Sequence, residues 1–296
     1  MSSNAVYPFY HKKQLSFLRF APVEEKTQES VQAELDFLEY LRENDYSVAE
    51  HIPSKKGLNV VLSETPWGKY VAVAFKGACG NRLDQLECSN DLYYGLGASL
   101  GHLHLLSAGY HAKDNRRTDW KQNLNWVETI LKKYSAPAQS LKEVTLLRDF
   151  FEKLPVTPQN YGLIHYDFEL DNVFCDEETH RYTAIDFDDA VYHWFVMDID
   201  QAIDSIKDEL PKHDHEPAEI QFLSGYRSIM EIEDSMLEKM PIFRRYANLF
   251  SYARCLHCLA DTWDYEPEWM VGLRNQIIIS MDNKSKTFGE NVIPVG

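Results

Sequence analysis

Apolar positions over the first 76 residues change period twice. Val6-Tyr7-Pro8-Phe9 and Leu15-Ser16-Phe17-Leu18-Arg19-Phe20 flank a polar turn, His11-Lys12-Lys13-Gln14. In the second run, alternation sets Phe17 and Arg19 on one face of a strand and Leu18 and Phe20 on the other. Val31, Leu35, Leu38 and Leu41 then recur at steps of four, three and three, the stripe of an amphipathic helix. After a connector at 49–53, residues 59–63 and 69–75 form a hairpin pattern around Pro66-Trp67-Gly68. The rest reads as mainly helical. Leu92, Leu96, Leu100 and Leu103 mark a helix over 91–107, and further helices span 120–134 and 141–154, the latter stopped by Pro155 and Pro158. Short strands are expected at 161–164, 173–175 and 181–185, and helices at 194–206, 218–240, 243–262 and 268–281, with a polar loop at 212–217.

The chemistry concentrates at one place. His165-Tyr166-Asp167-Phe168-Glu169-Leu170-Asp171-Asn172 follows an apolar strand, and Ile185-Asp186-Phe187-Asp188-Asp189 ends the next strand pair, 19 residues beyond Asp167. Phosphoryl transfer asks side chains for an oriented nucleophile and for ligands to a metal that absorbs charge on the moving group. One carboxylate, Asp167, suits the first task, while Asn172 and Asp186 suit the second. The H-x-D-x-x-x-x-N spacing matches a kinase catalytic loop, and Asp186-Phe187 stands where a metal-binding D-F pair belongs.

These residues resemble the aminoglycoside phosphotransferase and choline kinase superfamily, the small-molecule branch of protein-kinase-like enzymes. The resemblance implies an α+β, bilobal fold, with a nucleotide-binding small lobe at 1–76 and a mainly helical lobe at 77–296 that carries the catalytic loop, metal strand and acceptor-binding helices. The first strand and glycine-rich loop are expected in abbreviated form, with Ser2-Ser3-Asn4 in the place of the phosphate loop. It further implies magnesium and ATP as cofactors, Arg19 on the phosphates and paired with Glu34, and a hinge at 73–78 with Val73 and Phe75 beside the adenine. Asp167 would align the acceptor hydroxyl and His165 would brace its loop. Tyr166, where the family commonly has glycine, would floor the acceptor site or stack on the acceptor. Asp188 and Asp189 would serve metal or acceptor, and Trp194 would meet the acceptor. Asp198 matches a structural aspartate of the family, and His104, in a G-x-x-H stretch, is expected to be a packed core residue.

Composition narrows the partners. The formal charge of −16, from 30 basic and 46 acidic residues, argues against nucleic acid, which needs basic surface. From Asp188 onward there are 20 acidic and 10 basic residues. Such a bias concentrates cations if it lines a cleft, which favours an amine-bearing hydroxyl acceptor, and equally suits acids that only keep the surface hydrated. Aromatic residues (Tyr226, Tyr252, Trp263, Tyr265 and Trp269) are expected partly in the core and partly along an acceptor pocket. No apolar stretch reaches the roughly 18 residues of a membrane span, so no membrane partner is expected. The five cysteines follow no disulfide framework, which with the polar start indicates a cytoplasmic protein. Cys255 and Cys258 have C-x-x-C spacing inside a helical pattern and are expected as buried helix cysteines. The reading is an ATP-dependent small-molecule phosphotransferase. The alternatives are a silent nucleotide-binding module and a metal-dependent phosphohydrolase using Asp167, Asp171, Asp186 and Asp188.

Overall fold

The computed structural model describes residues 4–260 and 265–291, so Ser2, Ser3 and Trp263 lie outside the described residues. In chain order it begins β1 (Ala5–His11), β2 (Gln14–Pro22), α1 (Gln28–Glu43), β3 (Val61–Thr65), β4 (Gly68–Lys76) and β5 (Asn81–Arg82). Three helices follow: α2 (Asn90–Ala108), α3 (Trp120–Lys133) and α4 (Ala138–Phe151). Next come β6 (Tyr161–Ile164), β7 (Val173–Asp176), β8 (Arg181–Ala184) and β9 (Val191–Trp194). The chain continues as α5 (Val196–Asp208), α6 (His215–Arg227), α7 (Asp234–Leu237), α8 (Met240–Ala260) and α9 (Glu268–Lys284). This is the α+β composition the sequence pattern anticipates. No helix among the described residues is long and apolar enough to cross a membrane.

The chain divides into two compact units. One holds the residues up to Arg117 together with Thr157–Ile232; the other holds Thr118–Val156 and the residues from Glu233 on. In the first unit, β1-β2-β4-β3 form an antiparallel sheet. The β1–β2 turn places Lys12 and Lys13 at φ 48° and 68°, the pair of left-handed residues that a two-residue hairpin needs to match strand twist. Helix α1 starts at Thr27, whose side chain accepts from the Ser30 amide, and its stripe of Val31, Leu35, Leu38 and Leu41 is buried. In a second sheet β7 pairs with β5 on one side and β8 on the other, and Ala49 N–H and Ala184 N–H donate to the Ala184 and Ser47 carbonyls respectively. The strand pair that leads to Asp186 is therefore stitched to the connector after α1. In the second unit α3 opens on an Asp119–Gln122 capping box and packs on α8, and Arg245 of α8 pairs with the buried Glu143 of α4.

Three expected elements differ. Residues 218–240 do not form one helix: α6 ends at Arg227, Met230 and Ile232 turn inward, and α7 begins only at Asp234, beyond the boundary between the units. Trp194 closes strand β9 instead of opening a helix, because Tyr161–Ile164 is available as an antiparallel partner far away in sequence. Cys255 and Cys258 lie on α8 as expected, but half-buried and exposed respectively, since their face of that helix is not the packed one.

Helices α2 and α6 approach closely through glycines. An added Cβ would sit 1.9 Å from the Phe222 carbonyl oxygen at Gly97, and 1.9 Å from the Tyr94 carbonyl oxygen at Gly225. Backbone cannot yield as a side chain can, so Gly97→Ala and Gly225→Ala should each destabilise by about 2–3 kcal/mol. Gly272→Ala on α9, where nothing lies within 4 Å of the added atom, should be neutral or stabilising by up to about 1 kcal/mol. Urea midpoints of the three variants check the contrast, and equal shifts would refute it.

Candidate active site

Strand β6 delivers His165 into a loop that ends at Asn172, and the β7–β8 hairpin delivers Asp186 beside it. The Ile185 amide donates to the Asn172 carbonyl at 2.9 Å, which binds the two arms together. His165 spans them as well. Its Nε2–H donates to the Ile185 carbonyl at 2.8 Å, Nδ1 accepts from the Asp167 amide at 3.3 Å, and its ring lies 4.3 Å from that of Phe187. The imidazole is thus a strut between the loop carrying Asp167 and the turn carrying Asp186.

Two residues here hold left-handed backbone that a side chain disfavours: Tyr166 at φ 70° and Asp186 at φ 60°. At Tyr166 the opposing force is visible. The carboxylate of Asp198, fully buried in the first turn of α5, accepts from the Tyr166 amide at 2.7 Å and the His165 amide at 2.8 Å. Its Oδ2 also meets His104 Nε2 at 3.2 Å, and His104 Nδ1 meets the Tyr226 hydroxyl at 2.9 Å. Burial holds the His104 ring below the usual histidine range, against the pull of Asp198, so it is a neutral donor in the core. His104 is accordingly the packed residue the sequence suggests.

A cavity of about 370 Å³ opens on these residues. Val6, Phe17, Ala49 and Phe75 line its apolar part, while Arg19, Glu34, Asn172 and Asp186 line its polar part. Arg19 Nη2 pairs with Glu34 Oε2 at 2.5 Å and its Nη1 lies 3.3 Å from Asp186 Oδ1, with the guanidinium 5.2 Å over the Phe75 ring. Although burial opposes charge, Glu34, Asp188 and Asp186 raise the Arg19 pKa, so the cation is fixed. Glu34 Oε1 finds no hydrogen-bond partner among the described residues. Asn172 Nδ2 donates to the Asp167 carboxylate at 2.9 Å and to its carbonyl at 3.0 Å, leaving the amide oxygen of Asn172 as its acceptor. Burial, then the carboxylates of Asp189 and Asp171, push Asp167 up. Burial pushes Asp186 to about 6 despite Arg19, and Glu169 is pushed to about 7 by burial and the carboxylates of Asp167, Asp171, Asp204 and Asp208. A carboxylate held up in this way gains most from a nearby cation. Among the described residues no cluster of three or more His, Cys, Asp or Glu is arranged to hold a metal by itself. Asn172 and Asp186 could hold a magnesium ion jointly with phosphate and water.

Other expected contacts are placed differently. Val73 is buried on β4 and does not line the cavity. The Ala74 carbonyl is taken by Ile52, the Lys76 amide by Glu50 and the Gly77 amide by Leu15, while Lys76, Gly77 and Ala78 line the cavity. Trp194 is 0 % exposed, edge-on to Tyr161 at 5.1 Å, and cannot meet an acceptor without unpacking the β6–β9 pair. Tyr166 is 6 % exposed, its ring held in the core instead of flooring an open site. Asp188 is 5 % exposed and ion-paired to Lys26 at 2.8 Å, while Asp189 lies 3.4 Å from the same ammonium. Sequence reasoning missed Lys26 and Arg117, the latter donating to the Ala190, Ser30 and Asp188 carbonyls. Neither belongs to a spacing motif; both are reached through tertiary contacts.

The pattern of the phosphotransferase enzyme family matches residues 2–232. The amicoumacin kinase of Bacillus subtilis (strain 168) is 26% identical over 291 residues, spanning 93% of this chain and 84% of that protein. Among solved structures, an amicoumacin kinase in complex with AMP-PNP, Ca2+ and Ami superposes with a TM-score of 0.78 at 22% identity, covering 96% of this chain and 86% of its own. A microcompartment-associated aminopropanol kinase gives 0.73 at 22% identity, covering 96% and 88%. Choline kinase LicA from Streptococcus pneumoniae gives 0.59 at 12% identity, covering 94% and 89%. At these identities the structures speak for the protein-kinase-like fold. With the catalytic-loop spacing, the Arg19–Glu34 pair and a family pattern running through both, this chain belongs to the phosphotransferase enzyme family.

Proposed function

We propose that the chain transfers the γ-phosphate of magnesium-ATP to a hydroxyl of a small, amine-bearing molecule. The observation that carries this reading is the meeting of Arg19, Asn172 and Asp186 on one cavity, with Asp167, which does not itself line it, hydrogen-bonded to Asn172. The small lobe at 1–76 would take the nucleotide, adenine against Phe17 and Phe75 and phosphates toward Arg19. Asn172 and Asp186 would hold the metal, which supplies charge neutralisation on the phosphate oxygens when bound. Asp167 would accept the acceptor's O–H and align its oxygen for in-line attack, taking the proton as the bond to phosphorus forms. His165 would keep Asp167 and Asp186 in register through its two hydrogen bonds.

The amine preference rests on charge. Burial, with the carboxylates of Asp167, Asp171, Asp204 and Asp208 around it, pushes Glu169 up to about 7. A cationic acceptor would relieve that repulsion. Two of the fold relatives are named for aminopropanol and choline, both amino alcohols, which guides the acceptor screen. A cytoplasmic location would supply ATP as donor.

Asp167→Asn should keep ATP binding and lose about 10²–10⁴ in kcat, the usual range for a general base; acceptor-dependent ADP release near the wild-type rate would remove Asp167 from the role. Asp186→Ala should lose the magnesium-dependent part of nucleotide affinity, and a titration of ATP with and without magnesium measures it. Glu169→Gln should raise KM for amino alcohols several-fold while leaving KM for ATP in place. An unchanged acceptor KM would favour the view that these acids merely hydrate the surface.

A further inference from the structure

We infer that Asp188 is a positioning residue that ties Arg19 and the start of α1 to the turn carrying Asp186, and is neither a metal ligand nor an acceptor contact. The inference rests on the proposed nucleotide site and assigns one residue within it.

Both oxygens of its carboxylate are already committed. Oδ2 accepts from Asn4 Nδ2 at 2.7 Å and pairs with Lys26 Nζ at 2.8 Å, while Oδ1 faces Arg19 Nη1 at 3.8 Å. Its main-chain carbonyl accepts from Lys26 at 3.1 Å and from Arg117. Arg117 also donates to the Ser30 carbonyl, in the first turn of α1. Segments from four separated places (the approach to β1, strand β2, the turn before α1 and the loop after α2) thus converge on this residue. At 5 % exposure it does not line the cavity, whereas Asp186, two residues earlier, does. With Oδ2 taken by Asn4 and Lys26, Oδ1 turned to the Arg19 cation and the residue buried off the cavity, Asp188 is placed to hold cations and not to meet phosphate or acceptor.

The electrostatics give the arrangement a purpose. Burial works against the Asp188 charge, yet Arg19 and Lys26 hold its carboxyl below the usual carboxylate range. Arg19 Nη1 lies between two acids, 3.3 Å from Asp186 and 3.8 Å from Asp188. Without Asp188, Nη1 would be left to close on Asp186, while Nη2 stays on Glu34. It would then occupy the carboxylate needed for metal and withdraw from the phosphates. Asp188 therefore supports nucleotide binding through Arg19, with or without metal present.

The test uses the full chain and AMP-PNP, titrated calorimetrically both in magnesium and in EDTA. Wild-type protein must bind; if it does not, the proposed function fails and the Asp188 assignment falls with it for that separate reason. Given wild-type binding, Asp188→Asn should weaken Kd at least tenfold in both conditions. A metal ligand would show its loss in magnesium only, and that result would overturn the inference. So would unchanged nucleotide affinity combined with a raised acceptor KM. If Asp188→Asn alone unfolds, Arg19→Met and Arg19→Met/Asp188→Asn still decide the matter, since the pair removes opposite charges together. On the Arg19→Met background, Asp188→Asn should change Kd less than twofold. A further tenfold loss there would show Asp188 acting independently, against the inference.

Discussion

One buried carboxylate organises the catalytic loop. Asp198 has no access to water, a position that penalises charge unless every lone pair is used. Here it accepts from two successive backbone amides and from His104, at the amino-terminal turn of α5 where the helix dipole favours an anion. Those amides belong to His165 and Tyr166, so the bonds that stabilise Asp198 also fix the direction in which the chain reaches Asp167. His104 and Tyr226 extend the network to α2 and α6, whose close approach through Gly97 and Gly225 holds the histidine in place.

That constraint explains why a tyrosine can stand where related loops commonly carry glycine. A left-handed φ costs a bulky residue of order 1–3 kcal/mol, which the surrounding structure must outweigh. The two amide bonds to Asp198 and the burial of the aromatic ring oppose it together. Asp186 has the same backbone handedness and a different restraint: the neighbouring Ile185 is held by both Asn172 and His165. Each of the two left-handed residues is thus pinned through main-chain groups, Tyr166 by its own amide and that of His165, Asp186 by those of Ile185 next door. Side chains with chemistry to perform are left unencumbered by the work of holding the turn.

Charge is distributed with similar economy. Cations Arg19, Lys26 and Arg117 gather on the turn after Asp186, whereas Glu169 feels the carboxylates of Asp167, Asp171, Asp204 and Asp208. In a chain with a formal charge of −16, three cations are thus drawn to the turn beside Asp186.

The sequence by itself determined the elements and the chemistry that depend on local spacing. Period-two and helical runs gave β1, β2, α1 and the β3–β4 hairpin, because alternation and amphipathic stripes are properties of neighbours in the chain. The H-x-D-x-x-x-x-N and D-F spacings marked His165, Asp167, Asn172 and Asp186 in the same way. Arg19 and Glu34 could be paired by resemblance, and the fold brings them to 2.5 Å. What tertiary structure alone decided concerns partners remote in sequence. Trp194 read as a helical residue until β6 offered it a strand partner, and the break after Arg227 follows from where Met230 and Ile232 find their core. Asp188, adjacent to a metal-site motif, looked available for ligand; Asn4, Lys26 and Arg117 reach it from 71 to 184 residues away in the chain and enclose it. Hydrogen bonds over such separations leave no periodic trace, so burial and charge pairing at those residues belong to the folded chain and not to its local pattern.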